Sequence, residues 1–268
     1  MSRVDWGHVL VEAAEIVDGY DTGVTLRQLF YRLVAAEILP NTTSAYKGLS
    51  SKTAEARRAG TFPDLIDRGR EIHRPGSFAS PEAALEWLAR RYRRDRTEGQ
   101  EWSVYIGVEK AGLVMQLEAW FGDLGIPIVA LGGYSSQTYV DEVSEDVSEQ
   151  GRPAVLLYGG DFDPSGEDID RDFVERTGCF DKVVRVALTA DQVTAYDLPP
   201  AMGKATDSRS GAFVARHGRL VQVELDALAP DTLEELYRDA IEPFWDVSAY
   251  ERSVEREQAE RAWLQERR

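Results

Sequence analysis

The sequence predicts an α/β protein, with a helical amino-terminal domain over 1–98 and a parallel-sheet domain over 99–268. Three observations predict it. From residue 102 onward, apolar runs of strand length alternate with segments of helix length, the pattern of parallel strands joined by right-handed crossovers. Before residue 97 the apolar residues recur at helical spacing, with short turns between the periodic segments. A chain of 268 residues, 43% hydrophobic and 29% charged, has the composition of an ordinary soluble protein and the length for one large or two modest cores.

The elements follow in order. VDWGHVLVEAAEIV has helical spacing and is broken by Asp21-Thr22-Gly23. Thr25 is placed to cap LRQLFYRLVAAEIL, which ends before Pro40, and SAYKGLSSKTAEARRAG is a helix stopped by Gly60. Helices of this size and order, followed by an irregular basic stretch to His73-Arg74-Pro75-Gly76, resemble a winged-helix arrangement. SPEAALEWLARRYRRDR is a further helix, with Ser80 at its cap and Pro81 at its first position, and TEGQE reads as the linker. Beyond it, WSVYIGVE, IPIVALGG, PAVLLYGGD and KVVRVAL are strands, separated by KAGLVMQLEAWFGDLG, SSQTYVDEVSEDVSEQG and EDIDRDFVERTG as helices. The tail from Tyr250 to Arg268 is a charged helix suited to a surface or dimer contact.

Charge and composition narrow the setting. The net charge of −16 divides into −3 over 1–46, +5 over 47–96 and −18 over 97–268. The basic middle segment therefore permits local attraction for a polyanion. A single cysteine, Cys179, excludes an intrachain disulfide framework and fits a reducing compartment. Acidic residues interrupt the apolar amino terminus, which does not read as a signal peptide, and no apolar run approaches the ~20 residues needed to cross a bilayer. The expectation is a cytoplasmic protein with no membrane partner.

The candidate chemistry lies at the carboxyl ends of the strands, where open parallel sheets gather their working groups. Glu109 ends the first strand, and Asp161 and Asp163 end the third. Close carboxylates repel and tend to bind a cation, and these three offer the hard oxygen ligands that Mg²⁺ prefers, with Mn²⁺ as the alternative ion. The blander reading is a solvated loop in which Asp163 or Ser165 caps the following helix. His8, His73 and His217 have no metal-ligand spacing, and Gly132-Gly133 lacks a dinucleotide or P-loop fingerprint.

A strand ending VEKAG and a later one ending GGDFDPSGEDI resemble the Toprim fold of topoisomerases, primases and some nucleases. The Asp-Pro-Ser-Gly-x-Asp-Ile form is similar to the A subunit of type IIB DNA topoisomerase (topoisomerase VI) and its meiotic double-strand-break relatives. LPPAMGK and VQVELDALAPDTLEELYRDAI look like the closing portion of small bacterial and phage members. TLRQLFYRLV adds the Arg-x-x-(Phe/Tyr)-Tyr setting in which those enzymes carry their nucleophile. Leu26, Leu29, Phe30 and Leu33 form its apolar stripe, which leaves Tyr31 on another face with Arg27 one turn before it.

The resemblance implies Mg²⁺-dependent cleavage and rejoining of double-stranded DNA. Tyr31 is the expected nucleophile, Arg27 and Glu109 assist it, and the metal sits on Glu109, Asp161 and Asp163. It also implies a homodimer, with tyrosine and metal from different subunits; ATP-driven strand passage would need a separate ATPase subunit. Arg57, Arg58 and Lys110 are the candidate DNA contacts, with Arg68, Arg70 and Arg74 as further channel residues, the run RRYRRDR as either channel lining or a solvated helix face, and Lys110 equally placed to neutralise the acids. Lys204, Asp207 and Arg209 are expected in a polar loop approaching the site. The alternative function is a Toprim nuclease that hydrolyses DNA with water and leaves Tyr31 idle.

Overall fold

A computed structural model describes residues 4–20, 23–66, 75–200 and 209–266. Arg68, Arg70, His73, Arg74, Lys204 and Asp207 lie outside the described residues. Three helices open the chain: α1 (Trp6–Asp18), α2 (Leu26–Ala35) and α3 (Thr43–Arg58). They enclose a core of their own, with Val9, Ala13 and Val17 meeting Leu29, Phe30, Leu33 and Leu49. Helix α2 starts where expected because Thr25 and Gln28 form a reciprocal cap: Thr25 Oγ1 accepts from Gln28 N at 3.2 Å and Gln28 Oε1 accepts from Thr25 N at 3.0 Å.

Helix α4 (Pro81–Arg91) leads to β1 (Ser103–Val108), α5 (Val114–Phe121), β2 (Ile128–Ala130) and α6 (Gln137–Gln150). Then follow β3 (Ala154–Gly159), α7 (Gly166–Thr177), β4 (Lys182–Ala187), α8 (Ala190–Ala195), α9 (Ser210–His217), α10 (Pro230–Ile241) and α11 (Val247–Gln265). The protein is α/β, and its four strands form one parallel sheet in the order β2-β1-β3-β4. Every residue of β1 and β3 is buried, which explains why both read as continuous apolar runs. Alternate residues divide between the faces: Val104, Ile106 and Val108 face α5 and α10, whereas Tyr105, Leu156 and Tyr158 face α6 and α7.

This order fixes the site. The chain leaves β1 toward β2 on one side and leaves β3 toward β4 on the other, so the loops after the two central strands diverge. The crevice between them is a topological switch point. Helix α10 closes the face beneath it, where the buried Tyr237 hydroxyl donates to Gly107 O at 2.8 Å. A Cβ on Gly159 would strike that hydroxyl, so the first glycine of the Gly159-Gly160 pair makes room for Tyr237.

Two expectations are corrected. The helix expected over 80–96 ends at Arg91, and the run after it is bonded to α11. Arg94 pairs with Glu98 and Glu260, and Arg96 binds the buried Glu257 at 2.8 Å, as does Arg261. Glu257 and Glu260 stand more than 150 positions from Arg94 and Arg96, beyond the reach of local pattern reading. TEGQE is likewise no slack linker: Thr97 and Gln100 are buried, Arg152 donates to both of their carbonyls, and the Gln100 amide donates to Asp246 O. We expect Glu257→Ala to cost about 3 kcal/mol in chemical unfolding, because it strips the nearly buried Arg96 of its closest counter-charge and leaves only the exposed Asp123 at 3.6 Å. A loss under about 0.5 kcal/mol, the range of a surface change, would contradict the clamp.

Candidate active site

Glu109 and Lys110 directly follow β1, and Asp161 follows β3. The Asp161 amide donates to Glu109 Oε2 at 2.9 Å, which ties the two strand ends together. From β4, Arg185 donates to Asp161 O at 2.7 Å and to Asp170 Oδ2 at 3.0 Å, so the Asp161 loop is pinned to the start of α7. Gly166 is required by this packing: a Cβ there would collide with the Asp161 carbonyl and come 3.1 Å from Glu109 Oε2.

Asp163 makes a contact of its own. Its Oδ1 accepts from Gly166 N at 2.6 Å, the capping contact of the blander reading. Among the described residues no group of three acidic, His or Cys side chains is arranged, as it stands, to hold a metal ion. Instead an internal cation occupies the acids. The Lys110 ammonium lies 3.0 Å from Asp161 Oδ1 and 3.3 Å from Asp226 Oδ2, and it bonds Glu224 Oε2. Of its two expected roles, it neutralises the acid cluster.

Glu224 and Asp226 were not anticipated as site residues, although their i, i+2 spacing repeats that of Asp161 and Asp163. They arrive through a short antiparallel bridge, with Phe162 N donating to Val223 O at 2.8 Å and Val223 N to Phe162 O at 3.0 Å. Leu225 N then donates to Asp161 Oδ1 at 2.8 Å. Arg185 was missed as well; its signal is a single cation in the otherwise apolar VVRVAL.

Helix α2 docks on this turn. Arg27 Nη2 lies 2.8 Å from Glu224 Oε2 and its Nε 3.6 Å from Asp226 Oδ2, while Arg32 donates to Ala227 O at 3.4 Å. Beneath it, the buried Gln28 amide donates to Gln116 Oε1 at 3.2 Å. The expected stripe is inward, with Leu29, Phe30 and Leu33 buried, and Tyr31 is half-buried on a different face. The Tyr31 ring has the Arg27 guanidinium 5.6 Å and the Lys110 ammonium 5.7 Å from its centre. Lys110 thus stands between the Tyr31 ring and the acid cluster of the same chain. A cavity of about 420 Å³ is lined by Arg27, Glu109, Lys110, Asp161 and Asp226; a second of about 310 Å³ is lined by Tyr31 and shares Arg27.

Electrostatics follow from this burial. Desolvation pushes the Asp161 carboxyl up to about 7 against the pull of Lys110, and it raises Glu109 in the same way. Glu224 goes the other way: burial opposes its ionisation, but Lys110 and Arg27 bring it down to about 2. Tyr31 is pushed up to about 12, chiefly by burial and then by the Glu224 carboxylate beside its hydroxyl, with Arg27 and Lys110 opposing.

The other expected residues sit elsewhere. Arg57 and Arg58 occupy the last turn of α3, where Arg57 Nε donates back to Thr53 O at 3.4 Å and Arg58 is exposed. Arg209 donates to Ser165 Oγ at 3.3 Å, which places it at the start of α7. His8 is exposed, and His217 pairs with Glu167 at 2.7 Å. No protein-family model and no curated protein matches this chain.

Proposed function

We propose that this chain cuts and rejoins double-stranded DNA by transesterification through Tyr31, as a type IIB topoisomerase A-subunit-like enzyme with winged-helix-like and Toprim domains. The observation that carries the reading is that Tyr31 is flanked by Arg27 and Lys110, and that Lys110 also meets Asp161 at the topological switch point. A phenol does not need such company for packing alone.

The chemistry balances as an exchange of esters. The Tyr31 oxygen attacks phosphorus in line, an oxygen–phosphorus bond to the tyrosine forms, and one phosphorus–sugar oxygen bond breaks. The leaving sugar oxygen takes up a proton, and the phenol gives one up. As the site stands the phenol is protonated, with Glu224 positioning it and Arg27 placed to stabilise the phenolate and the charge building on phosphorus. The hard oxygens of Glu109, Asp161 and Asp163 fit a divalent cation, and a buried Asp226 oxygen without a partner adds to that fit. Bound there, Mg²⁺ would supply charge neutralisation at the scissile or adjacent phosphate. Arg57 and Arg58 are assigned to phosphate contacts along the duplex, and a homodimer would supply the second tyrosine for a double-strand cut.

A second reading, hydrolysis by water at the same acids, is favoured by one observation: a phenol raised to about 12 is a poor nucleophile at neutral pH. Supercoiled plasmid incubated with the protein and Mg²⁺ or Mn²⁺, then quenched with detergent, separates the two. Transesterification leaves broken DNA bound to protein until protease is added. Hydrolysis leaves free ends, and no scission under any divalent ion would remove the proposal.

A further inference from the structure

We propose that Glu224 and Asp226 are ligands of the divalent-cation site, and that the Lys110 ammonium is a built-in counter-ion that the metal displaces. The inference deepens the proposed function and rests on its placing a divalent cation in this cleft.

The first support is geometric. Three carboxylates from two separate parts of the chain, Asp161, Glu224 and Asp226, converge on one ammonium that is only 13% exposed. A position that collects three carboxylate oxygens around a monovalent cation has the hard-oxygen chemistry that Mg²⁺ and Mn²⁺ select. The bridge from Phe162 to Val223 and the bond from Leu225 N to Asp161 hold these groups in place, so the arrangement does not depend on flexible side chains meeting by chance.

The second support is independent. Asp226 is 8% exposed and lines the same cavity as Glu109, Asp161 and Lys110. Its Oδ2 faces Lys110 and Arg27, but its Oδ1 is buried with no hydrogen-bond partner. A carboxylate oxygen in that state is expensive, and such groups persist where something outside the polypeptide completes them. With the metal seated, Lys110 is released toward the cleft, where a DNA phosphate would meet it.

Isothermal titration calorimetry with Mn²⁺ and Mg²⁺ tests this on the full chain in metal-free buffer without DNA. Asp226→Asn and Glu224→Gln should each weaken Mn²⁺ binding by at least about tenfold, as loss of a supporting ligand does. Lys110→Met should tighten it by roughly tenfold or more, because the competing charge is gone. Circular dichroism reports whether each variant is folded, and Lys110→Met decides the matter if an acid variant is not. Unchanged affinity in both acid variants, or weaker binding in Lys110→Met, would overturn the inference while leaving the proposed function intact. Absence of binding by the wild-type protein would overturn the inference together with the metal assignment, without bearing on a covalent tyrosine adduct.

Discussion

Asp161→Asn should abolish most DNA scission and at the same time stabilise the protein above pH 7. The activity loss is expected at roughly 10²–10³-fold, the scale for removing one group that stabilises developing charge. The stability gain follows from linkage. Asp161 titrates near pH 4 in an unfolded chain but at about 7 in the fold, because burial disfavours its charge. The folded state thus binds this proton more tightly than the unfolded state. Its contribution to stability is full below about pH 4 and is lost as pH rises through about 7.

The shift corresponds to a few kcal/mol, up to about 4 if no other group compensates. Asparagine removes that slope and keeps an oxygen for the Leu225 amide. Lys110 retains Glu224 and Asp226, so no cation is stranded. Urea unfolding at pH 5 and pH 8 with a chelator should show the wild type losing stability, relative to the variant, at the higher pH. Parallel pH profiles would contradict the burial argument.

The sheet was legible because β1 and β3 are buried on both faces, and burial on both faces leaves no polar alternation to confuse the reading. Glu109 and Asp161 were legible for a related reason. Acids at the carboxyl end of such strands have few structural purposes. The inward stripe of α2 was legible from its period, and Tyr31 was set apart by the same arithmetic.

What escaped were pairings made by tertiary contact. Nothing local to RRYRRDR reveals that Glu257 and Glu260 wait on α11, so the ion pairs of this run were not readable from its own residues. Nothing local to VQVELDAL reveals that a single bridge to Phe162 carries Glu224 and Asp226 to the acids after β3. The role of Lys110 was undecidable for the same reason, since its partners Glu224 and Asp226 lie more than 100 residues away. The nearness of Tyr31 to Lys110 likewise comes from the docking of α2 on the 225–227 turn, a contact that no local pattern carries.

The central claim is that the Tyr31 oxygen, and not water, attacks the phosphodiester. Tyr31→Phe tests it with little disturbance, because the ring that meets Phe30 at a centroid distance of 5.4 Å and faces Arg27 and Lys110 is retained. The variant loses only the oxygen. Wild-type protein and variant are incubated with end-labelled duplex and Mg²⁺, denatured with detergent, and resolved before and after protease digestion. The wild type should retain label on protein, and the labelled peptide should map to Thr25–Val34. The variant should lose both the adduct and the scission, by about 10⁴-fold or more, as removal of an enzyme nucleophile does. Scission by Tyr31→Phe at the wild-type rate, with no label on either protein, would show that water is the nucleophile and contradict the account.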